Sequence, residues 1–488
     1  MLDVISFVFV FLILVINVYA FYIAKNYFSI SIDIYNHKAF INSIPCKYII
    51  PSSAIREANT YPPIIHILYR VTEIFKLTQY FSFIFFCLNQ VVAFSLGLFF
   101  FDINFAFELM LISTLSTSLI LDVRTYNARM LGVFLYNLLF FTIIVSLNNS
   151  LFLIPLQILL CICIVFSSRF AHQMIWFVLL PSSISLGATD FLFSYLSSVL
   201  LLFFIFKGHG ISIVKGHLAH LRYYFFNGVE FWAFNKYWRE YGETVETSRF
   251  SNLIYLLKSF KIFFRQPVTI AIVLFFIFGL FAPISQEYKY ALLSLGFGTF
   301  FYLITAMSDR VNKFIGDGFR YWEYLLVPFG VSMIFAHSEL QVIIALISLA
   351  VLVVTHRDLR HVSKNILRTG RSGDDNLKLL CQELDKLDKI NVMTLPISLS
   401  NILSVNTNKK YFYAYTFFGF WFLNRKGIFP WFKRGKNNLL NSNYINYLVV
   451  DSNQVNEFIV SAIISEYEFT FMFNCSNYMV FKKNNRCK

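Results

Sequence analysis

Long apolar blocks alternate with polar stretches over the first three quarters of this chain, and within each block the apolar residues run nearly continuously. A hydrocarbon core about 30 Å thick needs roughly 20 apolar residues per crossing helix. By that measure the pattern predicts about 11 spans, near 3–24, 79–101, 105–121, 130–147, 151–167, 174–188, 191–206, 267–284, 290–306, 322–336 and 340–355. The first block has no basic stretch ahead of it and exceeds the ~7–15 residues of a signal-peptide core, so it reads as a retained span.

Three long polar stretches interrupt the blocks: 25–78, 207–266 and 356–488. They hold too many aromatic and aliphatic residues for disorder. In the last, "DDNLKLLCQELDKL" places Leu377, Leu379, Leu380, Leu384 and Leu387 at helical spacing. "INVMTLP", "NYLVVD" and "NYMVFKK" read as short strands. The predicted fold is therefore mainly α. A polytopic transmembrane helix bundle covers 1–355, with loops 25–78 and 207–266 on its functional face, and a small soluble α/β domain covers 356–488.

Counting spans adds a constraint. With two spans between 174 and 206, all three long stretches fall on one face, together with "DVRTYNAR" (122–129), "SSRFAHQ" (167–173) and "SDRVNKFIGDGFRYWEY" (308–324). The other face keeps only the turns "FDIN", "NNS", "GATD", "ISQEYKY" and "AHSEL".

Composition agrees with a membrane protein: of 488 residues, 57% are hydrophobic, 60 are Phe, and only 14% are charged. Soluble domains carry about 25% charged residues. The net charge is +14, and nearly all of the 41 Lys and Arg lie on the loop-rich face, which the positive-inside rule assigns to the cytoplasm. A site that binds an anionic lipid phosphate also needs cations, on whichever side it faces. Cys87, Cys161 and Cys163 lie in apolar blocks. Cys46, Cys381, Cys475 and Cys487 lie outside them with no C-x-x-C spacing, so no zinc site is expected. A disulfide among the last three requires an oxidising compartment. There is no P-loop, no dinucleotide-binding glycine pattern and no H-E-x-x-H, which argues against ATP-driven transport within this chain.

Several residues are candidates for chemistry. Asp33 follows the first span closely, and a partly desolvated carboxylate there suits a general base. His37, four residues on, shares its helix face as a possible helper. A solvated Asp capping a short helix is the structural alternative. Tyr61-Pro62-Pro63 leads into a helix through His66, and Tyr61 and His66 are candidate substrate-binding residues. Arg129 stands at the start of a span, and Arg169 with His172 repeats that placement at another. A guanidinium there suits a phosphate or diphosphate, and snorkelling charge is the alternative. In "FIGDGFRYWEY", Asp317, Arg320 and Glu323 recur every third residue beside Tyr321, as in a substrate site or an interfacial aromatic girdle. His209, His217 and His220 have no nearby carboxylate or Cys to complete a metal set, and a basic aromatic helix at the lipid headgroups fits that stretch better.

An acid soon after the first span, in a long loop ending at Tyr61-Pro62-Pro63 before an amphipathic helix, resembles the GT-C superfamily of polytopic membrane glycosyltransferases. Those enzymes use lipid-phosphate-linked sugars. The resemblance covers most of the chain in outline. It implies an extracytoplasmic loop face, against the charge bias, and makes Asp33 the match to the catalytic acid. The doubled acidic motif of many members is absent, since Ile32 and Ile34 flank Asp33, so a divalent metal is left open as a cofactor.

The expected activity is transfer of a sugar from a polyprenyl-phosphate donor to a glycan, lipid or protein acceptor, with inversion, in cell-surface glycan assembly. The expected location is a multi-pass integral protein of the membrane (the plasma membrane in a bacterium). Partners are the lipid-linked donor, the acceptor and membrane lipids, without nucleic acid. Two alternatives are a polymerase of lipid-linked repeat units and a lipid-linked saccharide transporter.

Overall fold

A computed structural model describes residues 4–28, 63–147, 151–206, 285–307, 321–336, 341–369, 375–387, 391–395, 399–411, 445–453 and 468–484, with short pieces within 210–218, 267–275 and 455–464. Asp33, His37, Tyr61, Asp317 and Arg320 lie outside the described residues, as do most of 207–266 and of the block 267–284.

The described chain is mainly helical. In order it forms α1 (Val4–Asn26), α2 (Ile64–Ile74), α3 (Phe81–Phe100), α4 (Ile103–Ile112), α5 (Thr117–Asp122), α6 (Ala128–Ser146) and α7 (Ile154–Ser167). Then come α8 (Arg169–Met174), a π-helical turn (Ile175–Leu179), α9 (Leu180–Leu186), α10 (Thr189–Phe204), α11 (Gln286–Met307), α12 (Trp322–Phe335) and α13 (Gln341–Thr369). Among the described residues four helical stretches are long and apolar enough to cross a membrane: Val4–Asn26, Thr78–Phe100, Ala128–Ser146 and Gln341–Arg360. Ile103–Ile112, Ile154–Ser167, Thr189–Phe204 and Trp322–Phe335 are shorter apolar helices. The length and composition of these helices are consistent with a membrane protein.

The structure departs from the sequence pattern at 105–121. That block is split into α4 and α5 by residues 113–116, which are buried and non-helical. Ser and Thr compete for backbone hydrogen bonds and weaken a helix interior. Here Ser113 and Thr114 donate to the carbonyls of Met110 and Leu111, and Ser116 caps α5 by accepting from Leu119 N. Irregular backbone at such depth is tolerated only where protein surrounds it.

Contacts among the helix ends define two poles. At one, Phe101 and Tyr288 both meet Phe335, with ring centroids 4.7 and 6.4 Å away, and Gln341 donates to the Glu108 carboxylate at 3.0 Å. These residues belong to the short-turn side of the sequence pattern. Gly187, at φ 67°, closes α9 on the same side in the left-handed conformation that glycine adopts without strain. At the opposite pole α5, α6, α8 and α12 begin or end together. Between the poles, amide pairs tie helix to helix. Asn17 and Gln90 exchange two bonds of 2.8 and 2.9 Å, Asn137 donates to Asn89 at 2.7 Å, and Gln157 joins Ser146 and Ser194. Such bonds add to packing where lipid supplies no hydrophobic drive.

Helix α13 does not stop at residue 355. Its 29 residues span about 44 Å, well beyond a hydrocarbon core of about 30 Å, and its last three turns are basic. Downstream lie α14 (Asp375–Asp385), β1 (Asn391–Leu395), α15 (Leu399–Asn406), β2 (Lys410–Tyr411), β3 (Tyr447–Asp451), β4 (Phe469–Cys475) and β5 (Tyr478–Lys483). The strands form one mixed sheet in the order β2-β1-β3-β5-β4. β1 is parallel to β2 and β3, and β5 is antiparallel to β3 and β4. Every residue of β3 is buried, as expected for a strand covered on both faces. Leu380 and Leu384 of α14 and Leu403 of α15 pack with Val392, Val449 and Val480 in the sheet's core. The helix α14 and strands β1, β3 and β5 fall where the sequence pattern of the tail put them, whereas β4, the longest strand, was not read from it.

Candidate anion-binding pole

The loop-rich pole is built on α6. Asn127 precedes the helix in an extended conformation and its side chain accepts from Arg129 N and Met130 N at 2.9 and 3.3 Å. Arg129 therefore lies in the first turn, where the helix macrodipole opposes a cation. Two carboxylates offset this. Asp122, the last residue of α5, is hydrogen-bonded to Arg129 Nη1, and Glu323 Oε1 in the first turn of α12 stands 3.8 Å from the same nitrogen. The Glu323 side chain has 0% exposure and that of Arg129 14%. Removing one partner from such a buried set costs about 3–5 kcal/mol.

The loop between Asp122 and Asn127 is pinned by its neighbours. Tyr126 stacks on Phe81 with centroids 4.1 Å apart, meets Tyr69 edge-on at 5.0 Å, and donates its hydroxyl to Ile65 O at 3.1 Å. Ser82 Oγ donates to Thr125 O at 2.5 Å. Arg124 is held in this loop. Burial holds its guanidinium below the ordinary arginine range, and the nearby Asp122 works against that. Its Nε is buried without a hydrogen-bond partner.

Helix α8 brings the third arginine. Gly132, one turn into α6, lets α8 and α12 come close. A Cβ at Gly132 would lie 2.5 Å from Ser168 Oγ and 3.1 Å from the Tyr324 hydroxyl. Ser168 caps α8 by accepting from Ala171 N, and Arg169 follows it at 9% exposure. Phe170 meets Tyr321 at 5.8 Å, and the Tyr321 hydroxyl donates to Gln173 Oε1 at 2.5 Å. The amide nitrogen of Gln173 is buried and has no hydrogen-bond partner. A buried donor left unmade costs about 1–3 kcal/mol, so these two donors at one pole call for an explanation.

The π-helical turn after α8 coincides with a second polar cluster. Trp176 Nε1 lies 2.5 Å from the Tyr195 oxygen, Tyr195 lies 3.4 Å from His172 Nε2, and His172 Nδ1 lies 2.8 Å from His217 Nδ1. An indole nitrogen can only donate, which fixes the first bond: Trp176 Nε1–H donates to the Tyr195 oxygen. When the Tyr195 hydroxyl gives its hydrogen to His172 Nε2, His172 carries its own proton on Nδ1 and donates it to His217. π-Turns occur disproportionately at functional sites.

The structure thus brings Arg129, Arg169, Tyr321 and Glu323 to one pole. His172 lies on α8 but is 2% exposed and bonded inward. His66 is fully buried on α2, beside the Ile65 carbonyl that Tyr126 uses. Sequence reasoning passed over Asp122, Gln173, Gly132 and Tyr195. Asp122 was visible as the acid opening "DVRTYNAR", whereas the others gain meaning only from partners distant in sequence. Among the described residues no group of three His, Cys, Asp or Glu side chains is placed to hold a metal. No protein-family model, curated protein or solved structure matches this chain.

Proposed function

We propose that the chain is a multi-pass glycosyltransferase of about 11 spans, moving a sugar from a polyprenyl-phosphate donor to a glycan, lipid or protein acceptor in cell-surface glycan assembly. One observation carries the reading. Arg124, Arg129 and Arg169 gather where α6, α8 and α12 begin, at one end of an apolar bundle. That is where the phosphate of a lipid headgroup would meet permanent positive charge. The amphipathic helix α2 supports it. Its exposed side carries Ile67, Val71 and Ile74, while its buried side carries Ile65, His66 and Tyr69, the pattern of a helix lying in a membrane interface.

In this reading Asp33 removes the proton from the acceptor hydroxyl. The oxygen attacks the anomeric carbon opposite the leaving phosphate, with inversion, and the loop-rich face is extracytoplasmic. A divalent metal is left open. The test is Asp33→Asn, assayed in membranes for transfer from a polyprenyl-phosphate sugar. Loss of transfer with normal protein levels is expected, and full activity would overturn the role of Asp33.

A further inference from the structure

Two of the pole's three arginines, Arg124 and Arg129, differ in their surroundings. Arg129 is already engaged by two carboxylates, Asp122 in direct hydrogen bond and Glu323 at 3.8 Å. A phosphate approaching that guanidinium meets two like charges at close range, and like charges there disfavour its ionised form. Arg124 stands differently. Asp122 lies near it and favours its charge, but no carboxylate pairs with it among the described residues, and its buried Nε has no hydrogen-bond partner. Gln173 is 1% exposed, and with its oxygen taken by Tyr321 its amide nitrogen is left with two hydrogens to give. Both donors belong to segments that abut the start of α6: the 123–127 loop runs into it, and α8 packs on it beside Gly132.

We propose that Arg124 and Gln173 are the phosphate-binding donors of this pole, and that Arg129 is a positioning residue that fixes α5, α6 and α12 around them. This rests on the reading of the protein as a user of polyprenyl phosphate. A bound phosphate monoester would accept from Arg124 and from the Gln173 amide, satisfying groups that the fold otherwise leaves buried and unmade. Arg129 would act through Asp122, whose position sets that of the loop carrying Arg124.

The test uses the full chain in lipid nanodiscs, with farnesyl phosphate as a short soluble probe and inorganic phosphate in a parallel arm. Binding is read by thermal stabilisation and by titration. The wild type should bind farnesyl phosphate more tightly than inorganic phosphate. Arg124→Gln should weaken binding at least about tenfold, the loss of a charge-assisted bond. Gln173→Glu, which keeps the acceptor for Tyr321 and removes the donors, should weaken it comparably. Arg124→Lys should recover part of the affinity by keeping the charge and losing the fork. Arg129→Lys should lower the unfolding temperature and leave the dissociation constant within about threefold, a shift too small to count as a lost charged bond.

If the wild type does not bind farnesyl phosphate, the glycosyltransferase reading fails and this inference with it. If the wild type binds, and the Arg124 and Gln173 variants bind equally well while Arg129→Lys does not, the assignment of donors alone is wrong. Equal affinity for inorganic phosphate would overturn the lipid headgroup as the ligand.

Discussion

Gly132 and Ser168 touch: a methyl group on the glycine would stand 2.5 Å from the serine hydroxyl. The contact seats the start of α8, and with it Arg169 and Gln173, against the first turns of α6. Gly132→Ala must therefore push α8 outward. We expect a loss of about 1–3 kcal/mol, typical of overpacking, seen as a lower unfolding temperature in detergent. Removing the serine side chain in Gly132→Ala/Ser168→Gly should restore part of it. An alanine variant as stable as the wild type would contradict the close packing.

The Arg129 cluster predicts unequal costs. Arg129→Gln leaves Asp122 and Glu323 facing each other without their shared cation, and should destabilise by about 3–5 kcal/mol. Glu323→Gln removes only the more distant carboxylate and should cost less. In a double-mutant cycle the pair Arg129→Gln/Glu323→Gln should be less destabilised than the sum of the single variants. Additive losses would show that the two side chains are not coupled.

The Trp176–Tyr195–His172–His217 chain predicts tautomers. His172 should carry its proton on Nδ1 and His217 on Nε2, which nitrogen chemical shifts of ¹⁵N-histidine-labelled protein distinguish near pH 8. His217→Asn places an amide oxygen near the position of Nδ1, so it should preserve the His172 signature, whereas His217→Leu should lose it. A His172 found as the Nε2–H form in the wild type would refute the direction of the chain.

The sheet domain predicts a chemical reactivity. Burial pushes the Cys381 thiol up to about 11 from an ordinary 9.0, with Asp385 adding to the effect. Cys475 is raised too, by burial first and then by Glu383. Both should resist maleimide at pH 7.5 until denaturant is added. The folded state holds these protons more tightly than the unfolded chain. The contribution of Cys381 to stability is therefore complete below pH 9 and is lost as pH rises from about 9 towards about 11. Rapid labelling of the folded protein at pH 7.5 would contradict their burial.

Much of the bundle was legible in the sequence. Unbroken apolar runs allow no exposed-backbone alternative in a hydrocarbon medium, so α1, α3, α6 and α13 could be read directly. The tail was legible for a different reason. Leu377 to Leu387 repeat at helical spacing, and "NVMTL" and "YLVVD" are β-rich, both local signals. The break at 113–116 was signalled only by its Ser and Thr residues, and hydrophobicity outweighed that signal.

The candidate site was half legible. Arg129 and Arg169 stand at helix starts that any reading of span boundaries exposes. What they do there was hidden, because a guanidinium looks the same in sequence whether it meets a ligand or two carboxylates. Glu323 lies 194 residues from Arg129, and Gln173 lies 148 residues from Tyr321. No local pattern encodes such pairings.

The sequence alone determined which of the described helices are long and apolar enough to cross a membrane. This follows from transfer free energies summed residue by residue along a short window. The tertiary structure decided which arginine is engaged and which donors are left over, that Gly132 exists to admit Ser168, and that His172 points inward to His217. These depend on the distances between helices packed at contact, where one methyl group or one carboxylate changes the outcome.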